Sequence, residues 1–522
     1  MRGGARPAGP AGSGWAPHRI GGPATLSCDV LVIGSGAGGA SVAATLVEAG
    51  RDVLMLDEGA HLDAAHAPAS VPESFRRMWR GSGILAALGT PPVAYAEGRC
   101  VGGGTEINSA IFQRAPDTLL DDWAKRYRIA EFGAAALGPY YDRAAKVVNA
   151  TPPPPDAGLP TDILRRGGAA LGWKVVELDR GTRRCVGTNY CSLGCPTGGK
   201  QSMTATQIPD ALSGGLRLIA DCRAARLRLR GGRVVEVTAQ ARGADGRRHR
   251  VVLRPREVFV CAGAIHSPAL LRRSGLTRCV GDTLRLHPTL KATALFDEVL
   301  DAHDARLPLT AISEFMPDRR IGGSVTQPGL LAMSLAEDWA ERSWLMPEWR
   351  RCGQYYTMIR AAGTGTVRPL PLSAEPLVRY ALTESDWTQL ARGATELARV
   401  MFAAGARHVY PSIAGHPGWA SPEEVLAQAD APLPRTRTSL MTIHLFSSLP
   451  PGERSDGVAT DSFGRVSGVE NLRIADASQI PEAPGVNPQA TVMAMAYRNA
   501  EAFLAASGTK TRRTAFRERS AA

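Results

Sequence analysis

No uncharged apolar run of about 18 residues occurs anywhere in this chain of 522 residues, so no membrane-spanning helix is expected. The opening "MRGGARPAGPAGSGWAPHRIGGPAT" has no continuous apolar core either. It lacks the central stretch of a secretory signal and reads as a disordered leader over residues 1–24. Acids are scarce at both ends. Arg2, Arg6 and Arg19 stand in the leader with none, and Lys510, Arg512, Arg513, Arg517 and Arg519 face only Glu518 in the basic tail, 508–522. More than half of the net charge of +12 therefore sits in two solvated ends, and no nucleic-acid partner is expected. The nine cysteines are an odd number, and several lie in apolar runs such as "VFVCAGA", where a free thiol packs as a small hydrophobe. With no export signal read, the expectation is a reducing cytoplasm without a disulfide framework.

What is present starts with a nucleotide motif. In "CDVLVIGSGAGGASVAATLVEAGRDVLMLDEG" a short apolar strand runs into Gly34, Gly36 and Gly39, spelling G-x-G-x-x-G. A helical pattern follows to Gly50, then a second strand that ends on Asp57 and Glu58. Gly34 permits the tight turn, Gly36 lets the backbone approach a pyrophosphate, and Gly39 lets helix and strand pack closely. The helix N-terminus offers free N–H groups to phosphate, and an acid about twenty residues on suits the ribose hydroxyls. Asp57 fits that place best, with Glu58 as the neighbouring alternative. Strand, helix, strand and acid in register make a dinucleotide site; the motif alone does not choose between FAD and NAD.

Four more stretches bear on that choice. "GRCVGGGTEINSAIFQRAP" offers Gly102, Gly103 and Gly104 as a backbone able to lie against a flat ring, with Asn108 opening an apolar run. "VFVCAGAIHSPALLRRSGL" reads as a strand, a turn at Gly263, and a helix capped by Ser267 with Pro268 in its first turn. "GDTLRLHP" follows, and "GRVSGVENLRIADASQIPEAPGVNPQATVMAMAYRNAEAFL" closes the chain. Together these motifs resemble the glucose–methanol–choline (GMC) flavoprotein oxidoreductases over nearly the whole chain between the tails. The closest likeness is to the cholesterol oxidase and long-chain alcohol oxidase branch, through "GRCVGGG", "CPTGGKQS" and "VNPQATV".

The resemblance implies an α/β architecture. A Rossmann-type FAD-binding domain is expected from residues 25–115, 200–287 and 435–507, and a substrate domain on an antiparallel sheet from 288–434. Residues 116–199 would form a lid and connecting segment. It also implies the chemistry: an alcohol loses a hydride to flavin N5 while a base takes the hydroxyl proton, with O2 or another acceptor reoxidising the flavin. The matching positions are His444 as base and Asn487 orienting the substrate. Asp476 matches a flavin-contact position, and the helix opened by Pro488 would aim its positive end at the flavin. His266 and His287 read as structural. Phe446, Ser447 and Ser448 depart from the small residues usual after the family's histidine. Ile107 stands where some members bond FAD covalently, so the expectation is non-covalent FAD.

Trp339, Trp344, Trp349, Tyr355 and Tyr356 cluster in one stretch and read either as core or as a wall for a bulky or apolar alcohol. In "CVGTNYCSLGCPTGGKQS", Cys185, Cys191 and Cys195 are one short of the four thiolates of a four-iron cluster. Relatives with a three-iron cluster carry a doubled cysteine where this chain has Cys185-Val186, and no histidine lies in the segment. No metal is expected there; the segment reads as a flavin-side loop with Lys200 offering charge. Two other activities stay open: a flavin-containing lyase or isomerase, and an iron–sulfur-linked dehydrogenase serving a redox partner.

Overall fold

The computed structural model describes residues 20–508 except 63, 155–156, 244, 305–307, 430 and 455; the leader up to residue 19 and the tail from residue 509 lie outside it. A seven-stranded sheet forms one half. Its strands are β1 (Ala24–Ile33), β2 (Val53–Leu56), β3 (Arg217–Ile219), β4 (Cys222–Arg230), β5 (Arg233–Arg242), β6 (Arg248–Val260) and β7 (Leu472–Ile474). The order is β3-β2-β1-β6-β5-β4, with β7 beside β6. β3, β2, β1, β6 and β7 run parallel, and β4 and β5 form antiparallel additions. Val30, Leu31, Val32 and Ile33 are all buried, as a strand covered on both faces demands.

Three helices matter for the site: α1 (Ala37–Glu48), α2 (Gly263–Arg273) and α3 (Gln489–Ala506). α1 and α3 share one core. Ala40, Ala43 and Ala44 of α1 join Ala490, Met493 and Ala494 of α3 in it, small side chains that let two helices approach closely. Pairing α3 with α1 brings the C-terminal motif beside the N-terminal one, across some 450 residues of chain.

A nine-stranded sheet forms the other half, mostly antiparallel, with one parallel pair between Leu440–Thr442 and Val93–Tyr95. Segment 288–434 supplies five of the nine strands; the others are Leu85–Ala87, Val93–Tyr95, Val175–Glu177 and Leu440–Thr442. The sheet thus reaches outside the stretch expected to form it, because three short strands from within the expected FAD segments and one from the connecting segment join it. Leu290, Ile321, Tyr355 and Ile359 pack against Leu390, Ala394 and Leu397 of the helix Glu384–Ala403. Strand alternation turns Lys291, Arg320, Tyr356 and Met358 to the opposite face.

Candidate active site

At the nucleotide end two of the three fingerprint glycines, Gly34 and Gly39, are required by contact, whereas a Cβ on Gly36 would come no nearer than 4.0 Å to another group. Gly34 has φ +103°, and a Cβ there would lie 2.4 Å from the Cys261 carbonyl oxygen; one on Gly39 would lie 1.9 Å from the Gly34 oxygen. Gly36 caps α1 without any side-chain bond, leaving the first N–H groups open toward a ligand. Gly38, which the fingerprint leaves unassigned, is equally constrained: its Cβ would sit 1.9 Å from the Ala475 oxygen.

Asp57 and Glu58 separate cleanly. The Asp57 carboxylate accepts from Ser35 N at 3.0 Å, Ser35 Oγ at 2.5 Å and Gly59 N at 2.8 Å, inside the glycine turn. Burial pushes its pKa up to about 6. Glu58 instead pairs with Arg80 at 3.0 Å and Arg99 at 3.2 Å. Burial works to raise its pKa, but Arg80, His266 and Arg223 outweigh it and hold it at about 2. Ser35 Oγ also accepts from Gly102 N at 2.9 Å, which ties the first glycine turn to the second. Gly102 and Gly103 take φ of +91° and +53°, and a Cβ on Gly104 would meet nothing within 4 Å.

Asn108 clamps this loop to α3: its Nδ2 donates to Gln489 Oε1 at 2.6 Å, and its Oδ1 accepts from Ala110 N at 3.0 Å. Lys200 is buried and donates to the carbonyls of Glu106 and Cys191, both at 2.6 Å, and of Asn108 at 3.2 Å. Its charge is satisfied by backbone and holds the cysteine loop to the glycine loop. Cys191 Sγ accepts from Arg180 Nη2 at 2.9 Å. Among the described residues all nine cysteines are free, and no three His, Cys, Asp or Glu side chains come together as a metal site.

Asp476 caps α2 from outside. It accepts from Gly263 N at 2.9 Å and Ser267 Oγ at 2.5 Å, and from Ser478 N at 2.8 Å. Here the structure corrects a boundary. α2 starts at Gly263, so Ser267 and Pro268 lie within it rather than at its start. Pro268 cannot donate to the Ala264 carbonyl one turn back. Ser448 Oγ donates to that oxygen instead, at 2.5 Å. Ser447, at φ +60°, donates to the Pro481 oxygen at 2.6 Å. Phe446 is fully buried with its ring 4.9 Å from that of His287. The departures after His444 are thus a support for α2 and for the histidine, not loose groups in a pocket.

His444 and Asn487 do come together, with Asn487 Nδ2 3.4 Å from His444 Nε2. Asn487 makes no capping bond; Pro488 is the N-cap of α3 and α3 begins at Gln489. His287, read from the sequence as structural, is the residue missed. Its Nδ1 lies 2.9 Å from His444 Nδ1, and its Nε2 accepts from Gly485 N at 2.9 Å. Because Gly485 donates to Nε2, the neutral His287 carries its hydrogen on Nδ1 and donates to His444. His444 then carries its own hydrogen on Nε2, so the Asn487 Nδ2 beside it is a close neighbour and not a hydrogen-bond donor to the ring in this tautomer. Burial, with Arg320 adding a smaller push, lowers the His444 pKa to about 3, and burial, His444 and two arginines hold that of His287 well below its usual value. Both rings are uncharged at neutral pH. "GDTLRLHP" carries no local cue for this pairing, which depends on two strands meeting.

The aromatic stretch disperses. Trp339 and Trp344 are about half exposed, Tyr355 is in the helix-side core, and only Tyr356 turns to the site face.

The residues present fit FAD: an acid inside the glycine turn, a glycine loop with open space at Gly104, and two uncapped helix N-termini, of α1 and α3. Family models described as GMC oxidoreductase match residues 75–289 and 365–496, and one described as an NAD(P)-binding Rossmann-like domain matches 32–75. The chain is 57% identical to the uncharacterized GMC-type oxidoreductase y4nJ of Sinorhizobium fredii, over 94% of this chain and 98% of that one. It is 27% identical to the long-chain-alcohol oxidase FAO4A of Arabidopsis thaliana, over 90% of this chain and 68% of the relative. Its fold superposes on pyridoxine 4-oxidase from Mesorbium loti with a TM-score of 0.70 at 17% identity, covering 91% and 99% of the two chains. With both segments of the family matched over residues 75–289 and 365–496, and a relative in it 57% identical, the chain belongs to the GMC oxidoreductase family.

Proposed function

We propose that the protein oxidises the CH–OH group of a small molecule to a carbonyl, with non-covalent FAD. The observation that carries this is His444 beside Asn487 at the start of α3, the helix whose Gln489 is bonded to Asn108 of the second glycine loop. Bound flavin supplies the hydride acceptor. His444 receives the hydroxyl proton at Nε2, and its depressed pKa keeps it unprotonated and available at neutral pH. Asn487 accepts from and donates to the substrate oxygen, holding the carbinol carbon in line. The resting bonds leave a hydrogen on Nε2, so uptake there follows a tautomer change. That change turns a His287 N–H against Gly485 N–H and costs about 1–3 kcal/mol. The approach of the substrate oxygen to Nε2 offsets it. The N-terminus of α3 adds a fixed positive end to the site. Ile107 offers no atom for a bond to flavin. The dispersal of the tryptophans removes the sequence support for an aromatic wall, so a bulky apolar alcohol rests only on the long-chain-alcohol oxidase likeness.

The test is anaerobic mixing of FAD-loaded protein with neutral long-chain, aromatic and steroid alcohols and with hydroxy acids. Bleaching of the flavin bands by at least one class supports the reading, and peroxide release in air separates O2 from another acceptor. Turnover without any acceptor, or no bleaching by any alcohol, sinks it.

A further inference from the structure

Arg320 is the feature that the proposed reaction leaves unused. It is 2% exposed, and its Nη1 donates to Gln113 Oε1. Its Nε and Nη2 are buried and make no hydrogen bond. Among the described residues no carboxylate pairs with it, and the group that favours its charge is the Tyr356 hydroxyl. Burying a guanidinium without a charged partner is unfavourable. Such a charge calls for a partner.

Its position says where that partner lies. Thr289, Met358 and Arg320 form one row across three neighbouring strands. Thr289 follows His287 by two residues, and its Oγ1 donates to the His287 carbonyl oxygen at 3.0 Å. The row therefore leads from the histidine pair across two strand spacings, roughly 10 Å, on the face turned away from the helices. The Arg320 charge reaches both His444 and His287. Gly322, next on that face, is kept bare by Tyr356: a Cβ there would lie 2.6 Å from its hydroxyl. Lys291 lies on the same face, and no carboxylate among the described residues pairs with it. Two cations without carboxylate partners on one face of the sheet favour negative charge beside it.

The free atoms also specify the shape of the anion. With Nη1 held by Gln113, the parallel N–H bonds of Nε and Nη2 remain, a planar side-on fork. A carboxylate, with two coplanar oxygens, matches it. We propose that the substrate carries a carboxylate that docks on Nε and Nη2 of Arg320 while its hydroxyl lies at His444, so that the substrate class is hydroxy acids. This deepens the alcohol-oxidation reading and rests on it for the hydroxyl end.

The test reads binding without turnover. FAD-loaded protein is titrated with benzoate and, separately, with benzamide and benzyl alcohol, following the flavin absorbance and the melting temperature. Benzoate is expected to bind at least tenfold more tightly than benzamide. Arg320→Met is expected to weaken benzoate about 100-fold, to change benzyl alcohol less than threefold, and to leave the flavin spectrum unaltered without ligand; Arg320→Lys recovers part of the affinity. Equal binding of benzoate and benzamide by the unmodified protein overturns the proposal, and needs no variant to fold. So does a flavin spectrum that shifts in Arg320→Met alone, which would put the guanidinium against the flavin instead. The two readings fail separately. Benzoate binding with no alcohol bleaching the flavin removes the reaction and keeps the anion site. Bleaching by neutral alcohols with no preference for benzoate does the reverse.

Discussion

His287 Nδ1 lies 2.9 Å from His444 Nδ1, and the Gly485 N–H behind it donates to His287 Nε2. One backbone amide thereby sets the direction of two imidazole hydrogen bonds. Nitrogen-15 NMR of histidine-labelled protein at pH 7 is expected to show two neutral rings, His287 with its hydrogen on Nδ1 and His444 on Nε2. A hydrogen on His444 Nδ1 would mean that Gly485 does not set the His287 tautomer.

His444→Asn is expected to lower kcat by 10²–10⁴, the range of a general base, while FAD stays bound. Asn487→Ala is expected to act through orientation and to lower kcat without changing the pH profile. FAD loss in either variant, read from the absorbance of gel-filtered protein, would reassign that residue to cofactor binding.

Acid should weaken the protein through the same pair. The folded His444 pKa is about 3 against 6.5 for an unperturbed ring. Between those values the unfolded chain binds a proton that the folded protein does not, so stability is full above about pH 6.5 and is lost as pH falls toward 3. His287 is shifted in the same direction. Wild-type melting temperature should therefore fall faster from pH 7 to 5 than that of a His287→Asn, His444→Asn double variant. Parallel curves would mean that the rings are not buried and neutral.

Asp57 and Glu58 should separate by phenotype. Asp57→Ala is expected to lose FAD affinity with a modest change in stability. Arg80→Met removes the nearest partner of Glu58, which keeps Arg99, and the arginine beside Glu97, and is expected to cost up to about 3–5 kcal/mol in urea unfolding, with FAD affinity little changed. The opposite assignment of the two effects would make Glu58 the ribose ligand.

Ser448→Ala leaves the Ala264 carbonyl without a donor, since Pro268 cannot supply one. A loss of about 1–3 kcal/mol is expected. Ser448→Thr, which keeps the hydroxyl, should lose less; equal losses would point to packing instead.

The nucleotide end was legible in the sequence because its geometry is local. Gly34 and Gly39 must be glycine for reasons set within one turn and its nearest strand, and Asp57 follows after one helix. Even there Gly38 was silent, since the oxygen it must clear belongs to Ala475, far along the chain. His444 and Asn487 could be placed by likeness to a family, but not their distance, nor the bond that gives His444 its tautomer. His287 and His444 are 157 residues apart, and Arg320 is an ordinary surface-like residue in a short strand until pairing with Tyr356 and Met358 buries it. The glycine turn, the helix that follows it and the order of the motifs were thus determined by the sequence alone. Only the tertiary structure decided which histidine faces which, which strands complete the second sheet, and where an unpaired charge is held. Those depend on contacts between strands distant in the chain, and no local pattern of residues records them.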